Sequence, residues 1–157
     1  MKTAHAPSNL PEVPGAKVAI VQSKWYSEYT DSMAKKCREI LLQAKCAEPE
    51  IHVISGSLEI PLCAQRLCRL KRGYEAIVAL GVIIKGDTLH FEMITHECMR
   101  GLGQVMLEED MPIIVEILPV LSIEDVKKRA ADDEFNKGIE AGIAAVETIA
   151  WRRKNAL

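Results

Sequence analysis

The sequence predicts an α/β fold in which a parallel sheet lies between layers of helices. Two observations carry this prediction. Short, continuous apolar runs alternate with segments of helical periodicity along the chain, and the apolar runs lack polar alternation, which is typical of strands buried on both faces. The 157 residues fit one domain, and their 48% hydrophobic and 27% charged content resembles that of ordinary globular proteins.

The first half of the chain supplies two strands and two helices. Residues 17–21 (KVAIV) are a β-branched apolar run, and apolar side chains recur every three or four positions over residues 27–45, which predicts a strand and then an amphipathic helix. A second strand is predicted over 50–55 (EIHVIS). The next helix runs to about residue 70, with Pro61 near its start, where proline is favoured.

The second half continues the alternation. A third strand (76–80, AIVAL) ends at Gly81 and is followed by an irregular stretch over 81–92. The remaining predicted elements are a helix to about residue 107, a strand over 112–118, a helix over 123–130 capped by Ser122, and a final helix over about 138–152. Together they predict a flavodoxin-like three-layer α/β/α domain with a four-stranded parallel sheet over residues 17–157, after a flexible proline-rich arm at residues 1–16.

Composition excludes several classes of partner. With 20 Lys+Arg against 22 Asp+Glu, the chain lacks the positive charge that holds nucleic acid. No apolar run approaches the ~20 residues that cross a bilayer, and the first residues lack the apolar core of a signal peptide. We therefore expect a cytoplasmic protein that binds neither nucleic acid nor membranes.

The cysteines predict no special chemistry. There are five, an odd number, and none forms a CxxC pair. The spacing of Cys63 and Cys68 matches zinc-ligand spacing poorly. We expect free, mostly buried thiols and no metal site.

Two candidate site features follow the first two strands, because ligands of open parallel sheets lie beyond the carboxyl ends of the strands. Trp25 could stack on a planar ring or could cover the edge of the core. Glu59, in the segment Gly56–Pro61, lies near a helix start, where a carboxylate is favoured; it could accept hydrogen bonds from a polyol or could be an ordinary surface acid.

Two further features follow the third and fourth strands. The loop Lys85–Leu89 could offer backbone N–H groups to an anion, and His90 at the following helix could move protons near neutral pH, although a single histidine is more often structural. Arg129 and Lys137 could contact a phosphate or could belong to a solvated charged face. These residues indicate a phosphorylated or polyhydroxylated small-molecule ligand and acid–base chemistry.

Three segments carry a resemblance to a known family. Residues 79–92 (ALGVIIKGDTLHFE), residues 56–61 (GSLEIP) and the pair Arg129-Ala130 followed by 136–138 (NKG) are similar, in order and separation, to motifs of the lumazine synthase family. The resemblance extends over about residues 17–150. It implies condensation of 5-amino-6-(D-ribitylamino)uracil with 3,4-dihydroxy-2-butanone 4-phosphate to 6,7-dimethyl-8-ribityllumazine, the penultimate step of riboflavin biosynthesis, by a transferase that needs no cofactor or metal.

The resemblance also implies roles for individual residues. His90 and Arg129 are the implied catalytic pair: His90 would move protons during imine formation, phosphate elimination and ring closure, and Arg129 would oppose the charge of the phosphate. The implied substrate-binding positions are Trp25, Ser57, Leu58, Glu59, Val82, Ile83, Ile84, Asp87, Thr88, Val115, Arg129 and Lys137.

Within that set, the resemblance divides the two substrates among the motifs. Trp25 would stack on the pyrimidine ring, residues 57–59 would hold the ribityl chain, and residues 82–84 would present backbone groups to the uracil edge. Asp87 and Thr88 would meet the butanone phosphate. Lys137 would lie beside the ribityl chain or the phosphate.

The sequence departs from the family pattern in four places. The loop after Arg129 reads ADDEF (131–135), where relatives often have Gly, Thr and Lys, and its acids are expected to weaken the local field for phosphate. Val115 stands where many relatives have an aromatic residue over the ring, Glu116 follows where glycine is usual, and Ser55 replaces a proline. The missing aromatic motivates an alternative function, a non-catalytic protein that binds flavin or lumazine on the same scaffold. The presence of His90 and Arg129 favours the enzyme, since a binder needs neither.

The resemblance implies a homo-oligomer as well. Family members form pentamers with active sites between neighbouring subunits, and some build decamers or icosahedral 60-subunit capsids. The short segment between Arg129 and Gly138 has the length seen in capsid formers. Light scattering that gives the mass of five chains would count against a capsid.

Overall fold

The computed structural model describes residues 8–156 and contains a parallel sheet between two helical layers. The strands are β1 (Lys17–Ser23), β2 (Glu50–Ile54), β3 (Tyr74–Ile84) and β4 (Ile113–Val120), in the spatial order β2-β1-β3-β4. The helices are α1 (Ser27–Gln43), α2 (Ile60–Arg69), α3 (His90–Glu108), α4 (Ile123–Ala130) and α5 (Lys137–Lys154). The predicted flavodoxin-like three-layer α/β/α fold is confirmed.

Two hydrophobic clusters, one on each face of the sheet, hold the layers together. The first joins α1, α4 and α5 to the sheet around Ile20, Leu41 and Val146. The second joins α2 and α3 to the opposite face around Ile77 and Leu102. Burial on both faces explains why the strands read as continuous apolar runs.

Strand β3 is longer than the sequence predicted, and the irregular stretch expected from Gly81 begins only after Ile84. Val82 and Ile84 pair with Leu118 and Val120 of β4, so the glycine does not end the strand. Gly81 instead permits close packing, because a Cβ atom there would lie 2.6 Å from Ser57 Oγ and 3.0 Å from Ile117 Cδ1. The extension brings residues 82–84 to the carboxyl edge of the sheet.

Strand β4 also runs past its predicted end, through Pro119 to Val120. Proline is tolerated there because β4 is an edge strand, whose outer side needs no N–H donor. The predicted cap of α4 is confirmed, since Ser122 accepts a hydrogen bond from the Asp125 N–H at 3.3 Å.

The segment before β1, part of the predicted flexible arm, packs on the domain as far back as Leu10, which contacts the cluster beneath α1 and α5. Val13 and Ala16 are buried, and the Val13 N–H donates to the Ala44 carbonyl at 2.8 Å. Residues 1–7 of the predicted arm lie outside the described residues. In the described range, no helix is long and apolar enough to span a membrane.

Candidate active site

A cleft of about 400 Å³ opens at the carboxyl ends of β1 and β3. It lies on the face of the sheet that carries α2 and α3. Its walls are formed by Trp25, Tyr26, Gly56, Ser57, Leu58, Glu59, Val82, Ile83, Ile84, His90 and Ile94. Eight of the predicted site residues therefore line a single cavity.

Trp25 stands at the rim of this cleft. It is the second residue after β1, and Tyr26 adopts a left-handed backbone conformation (φ 60°) that turns the chain into α1. The indole is 64% exposed, so Trp25 does not seal the core, which was the alternative the sequence left open. An exposed aromatic at the mouth of a cleft is suited to stacking on a planar ligand.

Glu59 lies beside Trp25 because Gly56 leaves room for both. A Cβ atom at residue 56 would lie 2.8 Å from Glu59 Oε2 and 3.7 Å from Trp25 Cδ1. In the part of the chain that the structure describes, no ion pair engages the exposed Glu59 carboxylate. Its oxygens are therefore open to donors from a ligand.

Ser57 and Leu58 belong to the same wall of the cleft as Glu59. Ser57 is buried, and its carbonyl accepts a hydrogen bond from Cys98 Sγ at 3.1 Å, whereas Leu58 is exposed. Burial, with the nearby Glu59 carboxylate, raises the pKa of the Cys98 thiol to about 11. Cys98 is therefore a neutral donor that fixes the wall from behind.

The opposite wall is the end of β3 and the start of α3. His90 is the first residue of α3 and is exposed, and its backbone N–H donates to Thr88 Oγ1 at 3.4 Å. The loop is anchored at Lys85, whose N–H donates to the Val120 carbonyl at 2.9 Å and whose Nζ lies 3.3 Å from Glu92 Oε1. Asp87 and Thr88 are exposed on this loop, next to the cleft but outside its lining.

Arg129 lies elsewhere, in a separate hollow of about 370 Å³ with Leu118, Leu121 and Asp125. Its Nη1 donates to the Asp125 carbonyl at 2.9 Å and lies 3.8 Å from the Asp125 carboxylate. Leu118 packs in the core beneath α1 and α5, so this hollow is on the opposite face of the sheet from the cleft. The residue patterns placed all four features at one site, and the resemblance implied that Trp25 and Glu59 face Arg129 or His90 across a subunit interface. The single chain brings His90 to Trp25 and Glu59 but does not bring Arg129 to them.

Lys137 is on the same face as Arg129, at the first residue of α5. Its Nζ lies 2.5 Å from Glu140 Oε2. The preceding Asn136 caps α5, accepting from the Gly138 N–H at 2.8 Å and donating to the Ala131 carbonyl at 2.7 Å. The Asn136 cap and Gly138 give part of the NKG motif a structural role.

Strand β4 carries two of the departures from the family pattern, Val115 and Glu116. Val115 pairs with Ala79 and is half-buried against the cluster beneath α2 and α3, outside the lining of the cleft. Glu116 points to the opposite face. Burial, and secondarily the Glu140 carboxylate, raises the pKa of Glu116 to about 7, against the lowering effect of Lys137.

Sequence reasoning missed the part played by Gly56 and Ile94 in shaping the cleft. The need for glycine at 56 depends on where Trp25 and Glu59 meet in space, which no local pattern contains. Ile94 could have been found from its position one turn after His90 in a helix.

The family assignment follows from the whole chain. The sequence model of the 6,7-dimethyl-8-ribityllumazine synthase family matches residues 15–153 of the 157 residues, so the chain belongs to that family. The match spans the strands, the cleft and the Arg129 hollow.

Proposed function

We propose that this member of the family condenses 5-amino-6-(D-ribitylamino)uracil with 3,4-dihydroxy-2-butanone 4-phosphate, giving 6,7-dimethyl-8-ribityllumazine, phosphate and water. The observation that carries the proposal is the cleft in which Trp25, Glu59 and His90 surround one space of about 400 Å³. A stacking ring, a hydroxyl acceptor and a proton carrier are what a ribitylated pyrimidine needs in this reaction.

The pyrimidine would lie against Trp25, with its edge on the backbone of residues 82–84. The ribityl hydroxyls would reach residues 57–59 and donate to the free Glu59 carboxylate. The 5-amino group would then lie on the His90 side of the cleft. The substrate brings its own amine nucleophile, so holding the two substrates in register supplies much of the rate enhancement.

The chemistry then needs proton transfers and departure of phosphate. The amine attacks the ketone and loses water to form an imine, phosphate leaves as an anion, and the ribityl-bearing nitrogen closes the ring with loss of a second water. His90, exposed at the cleft wall, would carry the protons between these steps. Asp87 and Thr88 would meet the phosphate from the adjacent loop, and a cation opposite would stabilise its developing charge.

That cation would come from a neighbouring copy of the chain. Arg129 and Lys137 lie across the sheet from the cleft, so one chain supplies the pyrimidine half of a site and, at β4, the anion half of another. We infer a ring-shaped homo-oligomer, the pentamer expected for this family, in which Val115, Arg129 and Lys137 close the cleft of the next subunit. A head-to-tail interface of this kind generates a closed ring when the rotation between neighbours is a whole fraction of a turn.

Subunit mixing tests the shared site. His90→Ala and Arg129→Ala variants are unfolded, mixed in equal amounts and refolded together, and activity is assayed at a butanone phosphate concentration far below the KM of Arg129→Ala, where each variant alone is nearly inactive. If sites form between copies, random mixing restores roughly a quarter of the parental activity, because one interface pairing in four joins an intact His90 to an intact Arg129. No recovery beyond the separately refolded variants would place the whole site within one chain.

The reaction itself is tested by mixing both substrates with the protein and following lumazine absorbance and fluorescence. A linear rise above the spontaneous reaction that scales with protein concentration is expected. The alternative, a flavin- or lumazine-binding protein, is favoured by Val115, which replaces a stacking wall with a small aliphatic side chain. No acceleration together with tight lumazine binding would support that alternative.

A further inference from the structure

Glu116 is a partly buried acid for which the proposed reaction has no role. It lies on edge strand β4, where successive side chains point to opposite faces of the sheet. Ile114 and Leu118, on either side of it, pack in the core beneath α1 and α5, so Glu116 faces that layer too. A carboxyl in such a place needs a partner, since burying a charge without one is costly.

Its partners are on the first turn of α5. Lys137 and Glu140 both act electrostatically on the Glu116 carboxyl, and they are paired with each other at 2.5 Å. From α1, the buried Cys37 thiol feels the Glu116 charge, and burial keeps that thiol protonated by raising its pKa. The ionisable groups around Glu116 in the described residues are thus one ammonium, one carboxylate and one neutral thiol.

The charge of this cluster depends on Glu116. With Glu116 protonated, Lys137 and Glu140 cancel and the cluster is neutral. With Glu116 ionised, two carboxylates surround one ammonium and the cluster carries one net negative charge. A negative cluster attracts an approaching anion less than a neutral one does.

We propose that Glu116 is a positioning residue whose carboxyl sets how strongly the Lys137 ammonium acts on an anionic group of the substrate. The inference rests on the proposed function in one respect: Lys137 must face the substrate. Because the pKa of Glu116 lies at about 7, the protein would bind anions more strongly below neutral pH than above it.

Sulfate is the probe that tests this, because its charge is constant over the relevant range and phosphate's is not. Sulfate binding to the full-length protein is measured by calorimetry at pH 6 and pH 8.5. For the parental chain, the dissociation constant of sulfate should rise about three- to tenfold from pH 6 to pH 8.5, the effect of one added negative charge near the ion. The Glu116→Gln variant should keep at pH 8.5 most of the sulfate affinity that it has at pH 6.

Two matched variants separate this role from a structural one. Glu147→Gln removes an exposed acid elsewhere on α5 and should keep the parental pH dependence. In a Lys137→Gln background, Glu116→Gln should have no further effect, since Glu116 acts through Lys137. Circular dichroism establishes that every variant is folded at both pH values.

An unchanged pH dependence in Glu116→Gln would overturn the inference, and so would failure of the parental protein to bind sulfate at pH 6. An equal effect of Glu116→Gln with and without Lys137 would also overturn it. The synthase assay is independent of this titration, so the loss of one proposal is distinguishable from the loss of the other.

Discussion

Glu59 in the cleft and the cations of the α1/α5 face differ in how they are paired. On the α2/α3 face, Glu59 and His90 are exposed in the cleft, and Glu59 makes no ion pair within the described residues. On the α1/α5 face, the cations Arg129 and Lys137 are already held by Asp125 and Glu140. In the proposed function, the cleft would take the neutral, hydroxyl-rich substrate, whereas an anion on the α1/α5 face would have to compete with Asp125 and Glu140.

In the proposed reaction, this difference would help the leaving group to depart. A phosphate at Arg129 would compete with Asp125 and would therefore bind less tightly than one that meets an unpaired guanidinium. The Asp125 carboxylate would pair with Arg129 again when phosphate leaves, so the product would not be retained. Substitutions on each face should therefore change different kinetic constants.

The largest effect is expected at His90. His90→Ala should lower kcat by about 10²- to 10⁴-fold, the range for loss of a general acid–base. The side chain is exposed, and among the described residues the hydrogen bond that ties His90 to the loop comes from its backbone N–H, so the fold should be unaffected. Steady-state kinetics with both substrates and a thermal melt would measure the two effects, and a parental kcat would remove His90 from the mechanism.

The next effect is expected at Arg129. Arg129→Ala should raise the KM of the butanone phosphate about 10- to 100-fold, as expected for loss of hydrogen bonds to a charged group, and leave the KM of the pyrimidine nearly unchanged. Lys128→Ala, which removes an exposed cation next in sequence, is the matched control. Equal effects on both substrates would contradict the division between the two faces.

Glu116 should make stability depend on pH. In the unfolded chain its carboxyl loses its proton near the usual value of 4.5, but in the folded chain only near 7. The contribution of Glu116 therefore lowers the free energy of unfolding as pH rises from 4.5 to 7, and the full decrease is present above pH 7. Glu116→Gln should raise the free energy of unfolding by about 2 kcal/mol at pH 8, after allowance for partial exposure, and by almost nothing at pH 4.

Urea unfolding at the two pH values measures that difference. Glu147→Gln should show no such dependence on pH. A stabilisation by Glu116→Gln that is equal at pH 4 and pH 8 would mean that packing, not ionisation, is responsible.

The smallest effects are expected around Glu59. Glu59→Gln keeps the shape of the side chain but weakens the acceptor, and should raise the KM of the pyrimidine about five- to tenfold. Gly56→Ala should raise it about two- to threefold, because the added methyl group displaces only the flexible end of Glu59. If either variant instead raised the KM of the butanone phosphate, the proposed orientation of the substrates would be reversed.

The fold could be predicted from the sequence because the pattern that marks a strand and the pattern that marks a helix are both local. Apolar runs such as residues 76–80 mark strands, and the periodicity of residues 27–45 marks α1. The prediction that β3 ends at Gly81 was wrong because it used a local rule, that glycine usually interrupts a strand. The glycine is explained here by its spatial neighbours Ser57 and Ile117, which the local sequence does not contain.

The candidate site could be predicted only in part. The cleft residues follow β1, β2 and β3, and the rule that ligands lie beyond the strand ends placed them together correctly. The same rule put Arg129 beside them, because position along a strand does not specify which face of the sheet a following helix covers. The raised pKa of Glu116 likewise depends on burial and on Glu140, which no residue pattern contains.

The close approach of α1 and α5 has a consequence for how the family can vary in length. A Cβ atom at Gly138 would lie 2.0 Å from the Met33 carbonyl oxygen, so the start of α5 rests on the backbone of α1 without an intervening side chain. Residues 132–134 are exposed, and Asn136 ties their far end back to Ala131. Extra residues inserted there would lengthen a surface loop at little entropic cost, while Lys137 and the helix behind it stay in place. Evolution can therefore adjust the length of this loop without displacing Lys137 or the helix that carries it.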